Sequence, residues 1–213
     1  NKKMDEHNLK AEIFEKIKEY YESFHKNKEF IPGKTKINYA GRIYDEREMI
    51  AAVDSILDFW LTLKDNDETF CKRFSELLGV NHTLLVNSGS SGNLLDVAAL
   101  RSNQFSRQFK QGDEIITPAM NFSTALNPII QNGLTPVIID SEVGTYNLDP
   151  SELEKAYSSR TKAIMVPHIL GNPCEMDAIM DFAQDKNLLV IEDTCDALDS
   201  RYNGKLCGTF GEM

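Results

Sequence analysis

The run Leu188-Leu189-Val190-Ile191-Glu192-Asp193-Thr194-Cys195-Asp196-Ala197-Leu198 decides the fold. It opens apolar and partly β-branched, the pattern of a strand buried on both faces. It then turns acidic at once. That places Asp193 at the carboxyl end of the strand, where open α/β sheets hold their ligands. A carboxylate in such a crevice wants a cationic partner, because burying it alone is costly. A protonated ring nitrogen is one such partner. A helix N-cap is the other reading, since aspartate caps well and a short helix could follow. On this stretch alone both readings stay open.

Working back along the chain, short apolar runs alternate with helical patterns. Strands are predicted over 82–86, 112–118, 136–140 and 163–168, and helices over 89–100, 122–131, 151–157 and 176–186. Repeated β-α-β units of this kind make a mostly parallel sheet covered by helices. The N-terminal third reads differently. Apolar residues at Leu9, Ile13, Ile17, Tyr20, Tyr21 and Phe24 have helical spacing with charges between them. Further helices are predicted over about 45–59 and 68–78, the latter stopped by Gly79. Breaks fall at 27–32 and 63–68, and 37–42 reads as an irregular link. Residues 1–36 are thus a helical extension ahead of an α/β domain spanning 37–213. The chain ends at Gly208–Met213 without a helix or polar tail, which reads as a cut through a longer protein.

A chain of 213 residues holds one large domain, or one with an appendage. Its net charge of -10 argues against nucleic acid and anionic membrane as main partners. No apolar run is long enough to span a bilayer, and the polar start, residues 1–7, lacks a signal-peptide core. A cytoplasmic location is expected. Cys71, Cys174, Cys195 and Cys207 match no structural zinc spacing and should stay reduced there.

The predicted strand ends carry the chemistry. Asn87-Ser88-Gly89-Ser90-Ser91-Gly92 joins a strand to a helix, so backbone N–H groups and the positive helix end converge on one spot. Serine hydroxyls add donors, and glycine lets an anion approach closely. A phosphate fits, and so does a plain serine-capped helix. The run is neither Gly-x-Gly-x-x-Gly nor a P-loop, which weakens dinucleotide and nucleoside-triphosphate binding. Phe122 follows the next strand and could lie flat on a ring, although a Phe opening a helix is usually core. His168 ends another strand and reads as a hydrogen-bonded wall rather than a catalyst. A phosphate cradle, a flat aromatic, a histidine and an aspartate together describe a pyridoxal-phosphate pocket. In it Asp193 keeps the ring nitrogen protonated, making the ring an electron sink.

The ordered series Asn-Ser-Gly-Ser-Ser-Gly, Gly-Asp-Glu-Ile-Ile-Thr-Pro, Asn-Phe-Ser-Thr, Pro-Val-Ile-Ile-Asp, Tyr-Asn-Leu-Asp-Pro, His-Ile-Leu-Gly-Asn-Pro and Ile-Glu-Asp resembles the DegT/DnrJ/EryC1/StrS sugar aminotransferase family. The resemblance covers most of the chain from about Ile37. It implies the aspartate aminotransferase fold (fold type I), with the C-terminal part absent from this chain. It also implies phosphate contacts from Gly89 and Ser90, a stacking Phe122 and a ring-pairing Asp193. Trp60 and Thr62, in Trp60-Leu61-Thr62, fall where the family lines its sugar-nucleotide site, although the loop at 63–68 departs from the family's glycine-containing form.

Within the family, the residues look most like the CDP-4-keto-6-deoxy-D-glucose 3-dehydratase branch. The segments concerned are 38–45, 58–62, 127–134 and 195–198. That branch uses pyridoxamine 5'-phosphate and a [2Fe–2S] cluster in 3,6-dideoxyhexose biosynthesis for lipopolysaccharide O-antigen. Its first cluster cysteine lies two residues after the ring-pairing aspartate, which is Cys195 here; a buried small hydrophobe is the other reading of that residue. The resemblance further implies an electron-donor reductase, a nucleotide-linked 4-keto-6-deoxy sugar as substrate, a homodimer, and a catalytic base beyond Met213. Without that base, this stretch alone should be inactive. A pyridoxal-phosphate sugar aminotransferase and an inactive interaction fragment remain the alternatives.

Overall fold

The computed structural model describes residues 5–26, 29–38, 41, 43–60, 62–63 and 65–213. Chain contacts divide it into two compact units, residues 1–68 and 69–213.

In the first unit, α1 spans Glu6–Phe24 and α2 spans Glu46–Leu57. Lys10 Nζ on α1 reaches Asp54 Oδ1 at 2.7 Å and Asp58 Oδ1 at 2.8 Å. The start of α2 is fixed by a reciprocal cap, in which Asp45 accepts from the helix backbone and Glu48 accepts from the Asp45 N–H at 2.8 Å. Helix α3, Asp65–Leu78, begins in the region read as a polar break. Asp65, Asp67 and Glu68 are its acidic first turn, where negative charge meets the positive helix end. The expected link residues Tyr39, Ala40 and Arg42, the break residues Asn27, Lys28 and Lys64, and Leu61 of the Trp-Leu-Thr segment lie outside the described residues.

The second unit is built on a four-stranded parallel sheet of order β2-β1-β3-β4. Its strands are β1 Glu114–Pro118, β2 Thr135–Ile139, β3 Thr161–Pro167 and β4 Leu189–Asp193. Helices α4 (Gly89–Leu100) and α5 (Ser123–Gln131) contribute to the core on one face. The short α6 (Leu153–Ala156, entered through a 3-10 turn at Pro150–Glu152) and α7 (Met176–Lys186) contribute on the other. A small hairpin, β5 Arg201–Tyr202 and β6 Lys205–Leu206, follows β4. The fold is α/β with a parallel sheet, as the patterning implies.

Successive strand residues serve opposite faces, as the pleat requires. Met165 and Ile191 join the core of α4 and α5, while Val166 and Val190 join that of α6 and α7. The same alternation sends Glu192 and Asp193 to opposite sides of the sheet. It explains why β3 from Ala163 onward and β4 up to Ile191 are apolar at every position.

One expected strand does not form. His82–Val86 has no ladder partner among the described residues, and Leu84 is 86% exposed. A strand needs a neighbour as well as a pattern, and the outer edge of β4 is met by other residues. Glu212 N donates to Val190 O at 3.0 Å, and Glu192 N donates to Met213 O at 2.8 Å. So this edge of β4 carries hydrogen bonds. Gly211 allows this approach, because a Cβ there would overlap the Val190 carbonyl.

Candidate functional site

The site lies where the end of β4 meets the start of α4. Ser88 caps α4, with its Oγ accepting from Ser91 N at 3.2 Å. Ser91 N and Gly92 N also reach Ser88 O, each at 3.1 Å. The amides of Gly89 and Ser90 are first-turn donors that the helix cannot satisfy itself, and they sit at its positive end. The serine-cap reading and the anion-cradle reading are therefore compatible. Glycine at 89 has a local reason: a Cβ would collide with Cys195 Sγ.

Asp193 faces this helix end. Its Oδ1 accepts from Cys195 N at 3.0 Å, and its Oδ2 accepts from Asn93 Nδ2 at 2.7 Å. Asn93 also donates to Thr124 O at 3.1 Å, in the first turn of α5. An open cleft of about 350 Å³ is lined here by Phe74, Gly89, Asn93, Asp193, Cys195 and Leu198, among others. Each oxygen of a carboxylate has room for a further donor, so Asp193 can still take a cationic N–H.

Two further groups respond to Asp193. Asp96, one turn beyond Asn93, is held above the usual carboxylate range by its burial and by the charge of Asp193. The Cys195 thiol is pushed up to about 12, first by burial and then by Asp193.

Phe122 occupies the N-cap position of α5 and is 74% exposed. A core role does not account for it, and the aromatic surface is open. Thr124, two residues on, is the carbonyl that Asn93 holds, so Phe122 belongs to the same strand-end region.

His168 follows β3 beside Asp193, its N donating to Asp193 O at 3.1 Å, but its side chain turns to the Glu192 side of the sheet. It is 1% exposed, and both ring nitrogens are engaged inside. Nδ1 accepts from Cys174 N at 3.0 Å, which leaves the proton on Nε2 facing Glu192 Oε2 at 3.2 Å. Glu192 also accepts from Gly208 N at 2.7 Å, Phe210 N at 2.6 Å and Gly211 N at 2.7 Å. Burial alone would raise this carboxyl; His168 and the three amides outweigh it and hold Glu192 below the ordinary value. His168 is thus a hydrogen-bonded wall residue that braces Glu192, with both ring nitrogens occupied inside the fold.

Trp60 and Thr62 belong to the first unit and are exposed; Trp60 Nε1 donates to Leu63 O at 3.2 Å. No described group of three or more His, Cys, Asp or Glu side chains could hold a metal ion. The Cys195 thiol, beside Asp193, is pushed up to about 12, and Cys174 and Cys207 are buried. The described residues by themselves supply no complete ligand set for an iron–sulfur cluster. They do fit a phosphate-bearing pyridinium, with donors at one end and a carboxylate at the other.

The residues the sequence reading missed are Asn93, Asp96 and Glu192. Asparagine near a helix start reads as a turn former, and nothing local says that it meets a residue 100 positions away.

Residues 43–213 match the sequence pattern of the DegT/DnrJ/EryC1/StrS aminotransferase family. The chain belongs to it. It is 40% identical over 211 residues to the lipopolysaccharide biosynthesis protein RfbH of Salmonella typhimurium, covering 99% of this chain and 48% of that one. It is 39% identical over 205 residues to dTDP-4-dehydro-2,6-dideoxy-D-glucose 3-dehydratase of Saccharopolyspora spinosa, covering 96% of this chain and 44% of the relative. Among solved structures, the E. coli GDP-4-keto-6-deoxy-D-mannose-3-dehydratase with bound hydrated PLP superposes with a TM-score of 0.76 at 32% identity. That match covers 81% of this chain and 44% of the other. The chain spans about half the length of the curated relatives it matches. Relatives in this family include both sugar 3-dehydratases and sugar aminotransferases. No described helix is long and apolar enough to cross a membrane.

Proposed function

We propose that the intact protein is a pyridoxamine- or pyridoxal-phosphate enzyme that removes the 3-hydroxyl of a nucleotide-linked 4-keto-6-deoxy sugar. One observation carries the reading: Asp193 is held rigidly at the end of β4, facing the open first turn of α4. Gly89 and Ser90 would bind the phosphate, Asp193 the ring nitrogen, and Phe122 would cover a ring face. When bound, the cofactor supplies an electron sink for carbanion chemistry at the sugar. The chain's own part is binding and charge: Asp193 keeps a proton on the ring nitrogen, and the α4 amides neutralise the phosphate.

Dehydration is favoured over amino transfer by the extent of likeness. The 3-dehydratases align over 83–96% of this chain, whereas the GDP-perosamine synthases align over 67–72%. The substrate we assign is CDP-4-keto-6-deoxy-D-glucose, with Trp60 and Thr62 toward the sugar nucleotide. The reading brings with it an electron-donor reductase, a homodimer and a cytoplasmic location. Cys195 is kept as one candidate ligand for a [2Fe–2S] cluster, and no step is assigned to that cluster.

The test offers the intact protein the CDP-, GDP- and dTDP-linked 4-keto-6-deoxy sugars, each with a reductant or with glutamate. The expected product is a 3-deoxy sugar formed fastest from the CDP substrate. An amino sugar formed from glutamate as the main product would overturn dehydration in favour of amino transfer.

A further inference from the structure

Asp193 can hold a ring nitrogen only if its carboxylate plane stays put. Two donors fix that plane. The first, Cys195 N on Oδ1 at 3.0 Å, is a local i to i+2 contact that an aspartate readily makes with its own backbone. The second is not local. Asn93 lies 100 residues upstream, is 6% exposed, and places Nδ2 at 2.7 Å from Oδ2. The same nitrogen stands 3.1 Å from Thr124 O. A primary amide nitrogen has two hydrogens, and both are used here. Both acceptors are oxygens that cannot donate, so the orientation of this amide is dictated by chemistry.

The side chain therefore joins three things at once: the first turns of α4 and α5 and the end of β4. The turn of α4 that carries Asn93 is continuous with Gly89 and Ser90. The turn of α5 that it holds follows Phe122. Asp96 adds a reason for an amide rather than a carboxylate at this position, since a third acid beside Asp96 and Asp193 would repel both.

We infer that Asn93 is the positioning residue for Asp193, fixing the carboxylate relative to the phosphate-binding end of α4. This rests on the proposed cofactor reading. Loss of the amide frees the Asp193 side chain to rotate, weakens its hold on a ring N–H and leaves phosphate binding in place.

The test compares two ligands on the intact protein: pyridoxamine 5'-phosphate, and its 1-deaza analogue in which the ring nitrogen is a C–H. Dissociation constants are read by absorbance titration for the wild type, Asn93→Ala, Asn93→Leu and Asp193→Asn. In the wild type the deaza analogue should bind about tenfold weaker or worse, the scale of one charge-assisted hydrogen bond. In Asn93→Ala the pyridoxamine phosphate affinity should fall by about tenfold while the deaza affinity moves by less than about twofold. The ratio then collapses toward that of Asp193→Asn. Asn93→Leu keeps about the same side-chain volume and removes the donor without adding a charge, and it decides the matter if the alanine variant does not fold. An equal loss for both ligands in the variants would mark Asn93 as merely structural and overturn the inference. So would a ratio unchanged from wild type. A wild type that does not discriminate between the ligands would instead overturn the Asp193 assignment itself.

Discussion

Glu192 and Asp193 are neighbours in sequence and opposites in use. The pleat sends them to different faces of the sheet. Glu192 meets His168 and three backbone amides, and its side chain is fully buried. Asp193 meets two donors and borders a cleft. A carboxylate whose surroundings are filled holds structure together. One whose surroundings are half filled is prepared to hold something else. The acid alone therefore says little about role; the number of donors already engaged says more.

The sharpest way to break this comparison is to remove each charge. Glu192→Leu leaves three amides and an imidazole without their acceptor in the interior. The expected loss is about 3–5 kcal/mol of stability, read as a lowered denaturation midpoint. Asp193→Asn should change stability by less than about 1 kcal/mol. It should instead lower turnover of the intact protein by about 10²-fold or more, the scale of one preorganised electrostatic contact. If Asp193→Asn destabilised as strongly as Glu192→Leu, the division into holder and binder would fail.

Acid sharpens the same contrast. Glu192 titrates below its ordinary value of 4.5 in the folded chain. A depressed carboxyl contributes stability that is fully present above the unfolded value and is lost as pH falls through the folded one. Urea midpoints measured from about pH 6 down to about pH 3 should therefore fall more steeply for wild type than for Glu192→Gln. Parallel curves would mean that the carboxylate is not what the loop depends on.

The smallest effect concerns the thiol. Cys195 is exposed as a residue, yet its thiol is pushed up to about 12 by burial and Asp193. Only the thiolate reacts, so alkylation by iodoacetamide at about pH 8 should be at least ~10²-fold slower than in the unfolded chain. Asp193→Asn should speed it. Peptide mass mapping separates Cys195 from Cys71, and fast labelling of Cys195 in the wild type would contradict the assignment.

The sequence was most legible where physics is local. The β-branched runs in β3 and β4 leave little choice but a buried strand, and Asp193 follows from the abrupt change after Ile191. Helices α4, α5 and α7 came from spacing and caps. Reading failed where a partner lies far along the chain. His82–Val86 has the composition of a strand, but pairing is a property of two segments. Asn93 drew no reading at all, because its acceptor comes from β4. His168 was assigned to a crevice because a strand end was assumed to be open, whereas Glu192 and Cys174 close it. Phe122 errs the other way: core is the usual fate of such a residue, and its exposure is what supports a binding role. Asp65–Glu68 read as a break although acids are at home in a first helical turn.

The three amides gathered around Glu192 form a concave nest for an anion, and the chain fills it with its own carboxylate. The first turn of α4 offers amides of the same kind and supplies no anion of its own. A tethered occupant is present at a high effective concentration. Free phosphate or sulfate should therefore compete poorly for the amides at 208–211, and on the proposed reading dissolved anions would collect at Gly89 and Ser90.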